Sequence, residues 1–151
     1  MKPYSLEIDI DLPRERVIEL FDDPDNLFKW QKGLQSFERL SGTPGEPGAR
    51  SKLVFLNGKR KVEMIEIVTD RSLPDRFDGC YEWPGGKNIL QNRFTELGPE
   101  RTRWESTCEF QFDSFMMKAM GLLFKPMFRK QSMGYLRAFK AFAEHDRDVR
   151  L

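Results

Sequence analysis

Few side chains in this sequence could carry chemistry, and the sequence around most of them argues against it. His145 is the only histidine. It falls in Glu144-His145-Asp146-Arg147-Asp148-Val149-Arg150, a run that reads as the solvated end of a helix, whereas a general base must reach a substrate proton in a shielded site. Ser/His/Asp and Cys/His chemistries are therefore not expected. Cys80 and Cys108 have no Cys-x-x-Cys spacing and no flanking histidine, so a zinc site would lack ligands; neither a metal nor another cofactor is expected. In a reducing compartment they read as two small thiols in strands rather than as a disulfide. That leaves Tyr81, which could orient a carbonyl, and Arg93, which could anchor an acidic head group, provided their strands turn them inward. The strand holding Arg93 lacks clean alternation, and a solvated charge on the outer face is the commoner fate of such a residue. Glu66 and Glu109 meet the same objection, and neither has a sequence neighbour suggesting the coupled carboxylates that acid/base catalysis exploits.

The remaining candidates are surface features. Asn57-Gly58-Lys59-Arg60-Lys61, with Arg50 and Lys52, is the densest basic patch, but a charged hairpin is usually a solvated edge that discourages strand pairing. With 25 Lys+Arg against 24 Asp+Glu the formal charge is +1, too even a balance for a polyanion binder, and no nucleic-acid partner is expected. Gly42, Gly45, Gly48, Gly85 and Gly86 follow no phosphate-cradling spacing. Met116, Met117, Met120 and Met127 crowd the segment from Phe115 to Phe128. Ordinary core packing is the simplest reading of them, ahead of a deformable gate hinged at Gly121 and Pro126 or a basic membrane-docking helix. The longest apolar run, Ala119 to Phe124, is far short of the ~18 to 20 residues a bilayer span needs. No apolar stretch of signal-peptide length follows Met1, so the cytoplasm is the expected location.

The elements that must position these residues are legible from periodicity. Leu6, Ile8 and Ile10 alternate with Glu7, Asp9 and Asp11, the pattern of a half-buried strand over 5–11. Pro13 suits the start of a helix that carries Val17, Ile18, Leu20 and Phe21 on one stripe. A second short helix over 25–31, capped by Asp25 or Asn26, carries Leu27, Phe28 and Trp30. Six strands follow, over 35–41, 50–56, 60–69, 76–83, 88–97 and 103–112. They are separated by Gly- and Pro-rich loops and by the hairpin signals Asn57-Gly58, Pro84-Gly85-Gly86 and Gly98-Pro99-Glu100. Pro126 splits the remaining helical pattern into 114–124 and 126–146. On the longer helix Phe128, Ser132, Tyr135, Phe139 and Phe142 share a stripe that must be buried against the apolar face of the meander. At 151 residues such a chain buries roughly 70% of its unfolded surface, and the sequence reads as one domain over 1–151.

This order resembles the helix-grip fold of the START-like, or SRPBCC, superfamily, which includes polyketide cyclases, lipid-transfer domains and pollen-allergen-like proteins. The resemblance rests on Leu12-Pro13-Arg14-Glu15-Arg16-Val17-Ile18, on Asp22 to Trp30 followed by Gly42 to Ala49, and on Leu136-Arg137-Ala138-Phe139-Lys140-Ala141-Phe142-Ala143-Glu144. It implies an α+β fold, β-α-α-β6-α, with a curved antiparallel sheet of about seven strands around a long C-terminal helix. It also implies a cavity between sheet and helix that takes a small hydrophobic or amphipathic molecule. Tyr81, Trp83, Arg93, Trp104, Phe110, Phe128, Tyr135 and Phe139 are then the candidate ligand-binding residues, although the same rings could instead fill the space. A non-catalytic binding or transport protein is the leading expectation. A cyclase- or aromatase-like enzyme using Tyr81 or Arg93 comes second, and a partner-binding module of the chaperone-activator kind third; a homodimer is compatible with all three.

Overall fold

The computed structural model describes residues 2–145. Seven antiparallel strands form one sheet: β1 Tyr4–Ile10, β2 Leu34–Ser41, β3 Arg50–Asn57, β4 Arg60–Ser72, β5 Arg76–Trp83, β6 Gly86–Gly98 and β7 Arg101–Phe112. Their order across the sheet is β1-β7-β6-β5-β4-β3-β2. Between β1 and β2 lie α1 Arg14–Phe21, a 3-10 turn Pro24–Asn26 and α2 Leu27–Trp30, and after β7 come α3 Phe115–Leu123 and α4 Lys125–His145. The curved sheet around a long last helix is the helix-grip arrangement.

The tight turns fall where the Gly signals place them. Asn57 pairs with Arg60 around Gly58-Lys59, with Gly58 at φ +64°, and Trp83 pairs with Gly86 around Pro84-Gly85. The caps differ from expectation. Asp23, not Asp25 or Asn26, caps the 3-10 turn by accepting from the Asp25 N–H at 3.0 Å, while buried Asn26 donates to the Leu20 carbonyl at 3.1 Å. Pro126 lies just inside α4, where a missing N–H breaks no helical bond, and Ser114 caps α3 through the Met117 N–H. His145 is exposed at the end of α4, and the run that follows it lies outside the described residues.

Period-two alternation divides the sheet into two faces. The inner face of β7 carries Trp104, Ser106, Cys108, Phe110 and Phe112, all against the cavity beneath α4. Arg93 belongs to the other face, and its assignment as a ligand anchor is corrected. Its neighbours Asn92 and Phe94 are the buried residues of that stretch of β6. Arg93 itself reaches Asp78 Oδ1 at 2.7 Å, beside Arg76 Nε at 2.6 Å from Oδ2. A buried carboxylate needs such partners, and Asp78 uses both guanidiniums and the Asn92 N–H. Cys80 and Cys108 are both free; Cys80 lies opposite Ile89 and Cys108 opposite Leu90, successive residues of β6 that point to opposite faces, which rules out a bond between them.

Candidate functional site

A cavity of about 530 Å³ lies between the inner face of the sheet and α4. The space under the helix is half filled and half open. At one end Phe21, Trp30, Phe94, Trp104 and Phe139 pack edge to face or stacked, with centroids 5.0 to 6.4 Å apart, and close the core. At the other end Tyr81, Trp83, Phe110, Phe128 and Tyr135 border the void, and Phe21, Trp30 and Trp104 of the cluster also face it. Six of the eight sequence candidates are therefore brought together around one space. Phe139 is not among them: it is fully buried in the aromatic cluster, where Phe21 of α1, Trp30 of α2 and Trp104 of β7 close around its ring. With Arg93 on the outer face, two candidates are removed from the wall.

The register builds a polar band across the otherwise apolar inner face. Arg39, Ser51, Glu66, Tyr81, Asn88 and Phe110 are successive cross-strand partners from β2 to β7, and all six line the cavity. On one side of this band lie Phe37, Leu53 and Met64; on the other lie Val68, Gly79, Leu90 and Cys108. Glu66 is thus not the solvated charge expected of it. It accepts a hydrogen bond from the Tyr81 hydroxyl at 2.8 Å. Burial raises the Glu66 carboxyl above its ordinary value, opposed by that hydrogen bond. Burial, and then the charge of Glu66, push the Tyr81 phenol well above its own. Both shifts favour the protonated forms, and a protonated carboxyl in this position could donate a hydrogen bond into the cavity.

Two buried polar atoms have no hydrogen-bond partner within the described residues, Trp30 Nε1 and Asn88 Oδ1, and both residues line the cavity. An unpaired buried donor or acceptor costs about 1 to 3 kcal/mol. Two other polar groups of the wall are paired: Trp104 Nε1 donates to Asn92 Oδ1 at 2.9 Å, and the Ser132 hydroxyl lies 2.9 Å from that of Tyr4, outside the wall. Burial raises the Tyr4 phenol to about 12. The orphaned pair is one N–H and one oxygen, so the wall offers a donor at Trp30 and an acceptor at Asn88. The Arg39 and Arg60 guanidiniums border the cavity at exposed positions.

Glu66 gives a pH-dependent prediction. Its pKa is raised on folding, so the stability tied to its protonated form is complete below the unfolded value and is lost as pH rises through the folded one. Glu66→Gln cannot ionise. Its stability relative to the parent chain is therefore expected to grow from about pH 4 upward and to level off once Glu66 in the parent is ionised. Urea titrations at a series of pH values measure this. A difference independent of pH would show that Glu66 is not desolvated. Adding Tyr81→Phe removes the hydrogen bond that lowers the Glu66 pKa, so the midpoint should move to higher pH.

The Met-rich segment also departs from expectation. It is not ordinary core: Phe115, Met116, Leu122, Leu123 and Met127 are exposed, while Met117 and Gly121 of α3, and Phe128 beyond it, turn toward the sheet. Met117 lines the cavity, so α3 contributes to its rim.

Comparison with known proteins agrees with this architecture. Among solved structures, the Zhui aromatase/cyclase from Streptomyces sp. R1128 superposes with a TM-score of 0.79 at 14% identity, covering 95% of this chain and 93% of that one. A conserved protein from Geobacillus kaustophilus gives 0.77 at 19% identity, with 97% of each chain covered. The protein Ara h 8.0201 gives 0.75 at 12%, covering 94% and 97%. At these identities the likeness is one of fold. No curated protein sequence matches the chain. The family profile described as polyketide cyclase / dehydrase and lipid transport matches residues 2–141. That match takes in every strand and the aromatic stripe of α4 as far as Phe139, so the chain whose sheet and last helix enclose this cavity belongs to the polyketide cyclase/dehydrase and lipid transport family.

Proposed function

We propose that the protein binds a small amphipathic molecule, largely apolar but carrying both a hydroxyl and a carbonyl, between the sheet and α4. The observation that carries this reading is the pair of unpartnered polar atoms in the cavity wall, Trp30 Nε1 and Asn88 Oδ1. A ligand hydroxyl donating to Asn88 and a ligand carbonyl accepting from Trp30 would each recover a hydrogen bond that the folded chain forgoes, while the flanking apolar rows take the rest of the molecule. The family description, with its cyclases and lipid carriers, supports the same class of ligand.

Matched probes test it. 2-Naphthol carries a hydroxyl donor, and 2-methoxynaphthalene replaces its proton by a methyl group. Fluorescence titration is expected to show 2-naphthol binding roughly tenfold tighter, and Asn88→Leu should erase that preference while retaining both probes. Absence of binding by either probe, together with no small molecule released on organic extraction of the purified protein, would overturn the reading.

A second reading, catalysis of the cyclase or aromatase kind, is favoured by one feature. The Glu66–Tyr81 pair is positioned to polarise a ligand carbonyl, and the aromatase/cyclase shares the fold. A carrier role remains the first choice, because the Tyr81 hydroxyl already donates its hydrogen bond to Glu66 and the two unpartnered atoms of the wall are hydrogen-bonding groups, not acids or bases.

A further inference from the structure

Helix α3 leaves its apolar side chains in solvent. Phe115 is 87% exposed and Leu123 73%, with Met116, Leu122 and Met127 open beside them. Its seat is narrow. Gly121 rests on the Phe112 ring so closely that a Cβ there would collide with it, and Met117, one turn earlier, faces the cavity. A helix apolar on nearly every side is ordinarily buried, and a contiguous exposed patch of this kind marks a binding surface.

Charge identifies the partner. Between Asp113 and Glu144 there are six basic residues and no acidic one, in a chain whose formal charge is +1. Lys118, Lys130 and Arg137 are exposed and have no ion-pair partner among the described residues. A second copy laid symmetrically on this patch would set its cations against their own images. A nucleic acid would satisfy the lysines but leave Phe115 and Leu123 in water. An anionic bilayer satisfies both sets of groups.

We infer that α3 and the first turns of α4 dock on an anionic lipid surface. Phe115, Met116, Leu122 and Leu123 enter the boundary between headgroups and acyl chains, and Lys118 and Lys130 pair with lipid phosphates. The docked helix is also the cavity rim, since Met117 is in the wall. Binding to the surface does not depend on what the cavity holds.

Vesicle flotation at low salt, with phosphatidylcholine alone and with phosphatidylglycerol added, tests this on the full chain. Binding is expected only with phosphatidylglycerol present, and it should weaken as salt is raised. Leu122→Glu combined with Leu123→Glu should reduce partitioning roughly a hundredfold, and Lys118→Glu by about tenfold. These side chains are exposed, so circular dichroism should be unchanged. The inference is overturned by failure to float with phosphatidylglycerol vesicles, or by flotation indifferent to the two glutamates. It is overturned equally by a dimer in sedimentation that the same substitutions dissolve while vesicles stay unbound, which would make a second copy the partner.

Discussion

Leu90→Trp is expected to leave the protein folded and to cost it roughly two orders of magnitude in affinity for 2-naphthol, about 2.7 kcal/mol. Leu90 stands in the middle of the inner face, half-buried, in the apolar row beside the polar band, and its side chain lines the cavity. Its cross-strand partner on β5 is Gly79, which has no side chain to crowd it, so an indole can lie over the strand and project into the void. There it divides the space and stands between a ligand and Asn88. Overpacking of a filled core costs about 1 to 3 kcal/mol, but an indole entering a void displaces no protein atoms, so the stability change should fall at the low end of that range. Isothermal titration or fluorescence for binding and urea denaturation for stability separate the two quantities. Unchanged affinity would mean that the ligand sits elsewhere, and a large loss of stability would mean that the cavity collapses rather than stands open.

Much of this site was implicit in the hairpins. The Gly58-Lys59 turn fixes Ser51 opposite Glu66, and the Pro84-Gly85 turn fixes Tyr81 opposite Asn88. What the sequence does not fix is the link between these two hairpins. β4 runs on to Ser72 and has an irregularity between Val68 and Asp70. Because a one-residue slip turns every side chain to the other face, Glu66 could be placed on either side until the register was seen. β6 conceals its parity for a related reason. Its inner face carries Asn88 and Asn92 and its outer face Ile89, so the polarity that marks the cavity also breaks the alternation used to find it. The aromatic stripe of α4 was plain from spacing alone, yet spacing cannot distinguish a ring that fills space from one that borders it. Exposure of α3 was equally hidden, since an apolar composition ordinarily signals burial.

That last distinction sets the second large effect. Phe139→Ala should destabilise the fold by about 3 to 5 kcal/mol, a large part of the roughly 5 to 15 kcal/mol typical of a domain. The Phe139 ring is 0% exposed and meets Trp30 at 5.1 Å, Trp104 at 5.3 Å and Phe21 at 5.7 Å, each close to edge-on. Its removal therefore takes away apolar burial and three favourable ring contacts together. Trp104 is held on its far side by Asn92, which limits how far the cluster can relax into the hole. Phe128 is three turns earlier on the same stripe, but it borders the cavity and stacks chiefly on Phe110 at 5.1 Å. Phe128→Ala should cost about 1 to 2 kcal/mol, because one side of its ring already faces open space. Urea midpoints for the two variants read the difference directly. Equal losses would mean that the stripe packs uniformly along α4 and that no space for a ligand exists in solution; a clear gap between them is what a helix gripped at one end and held off the sheet at the other must produce.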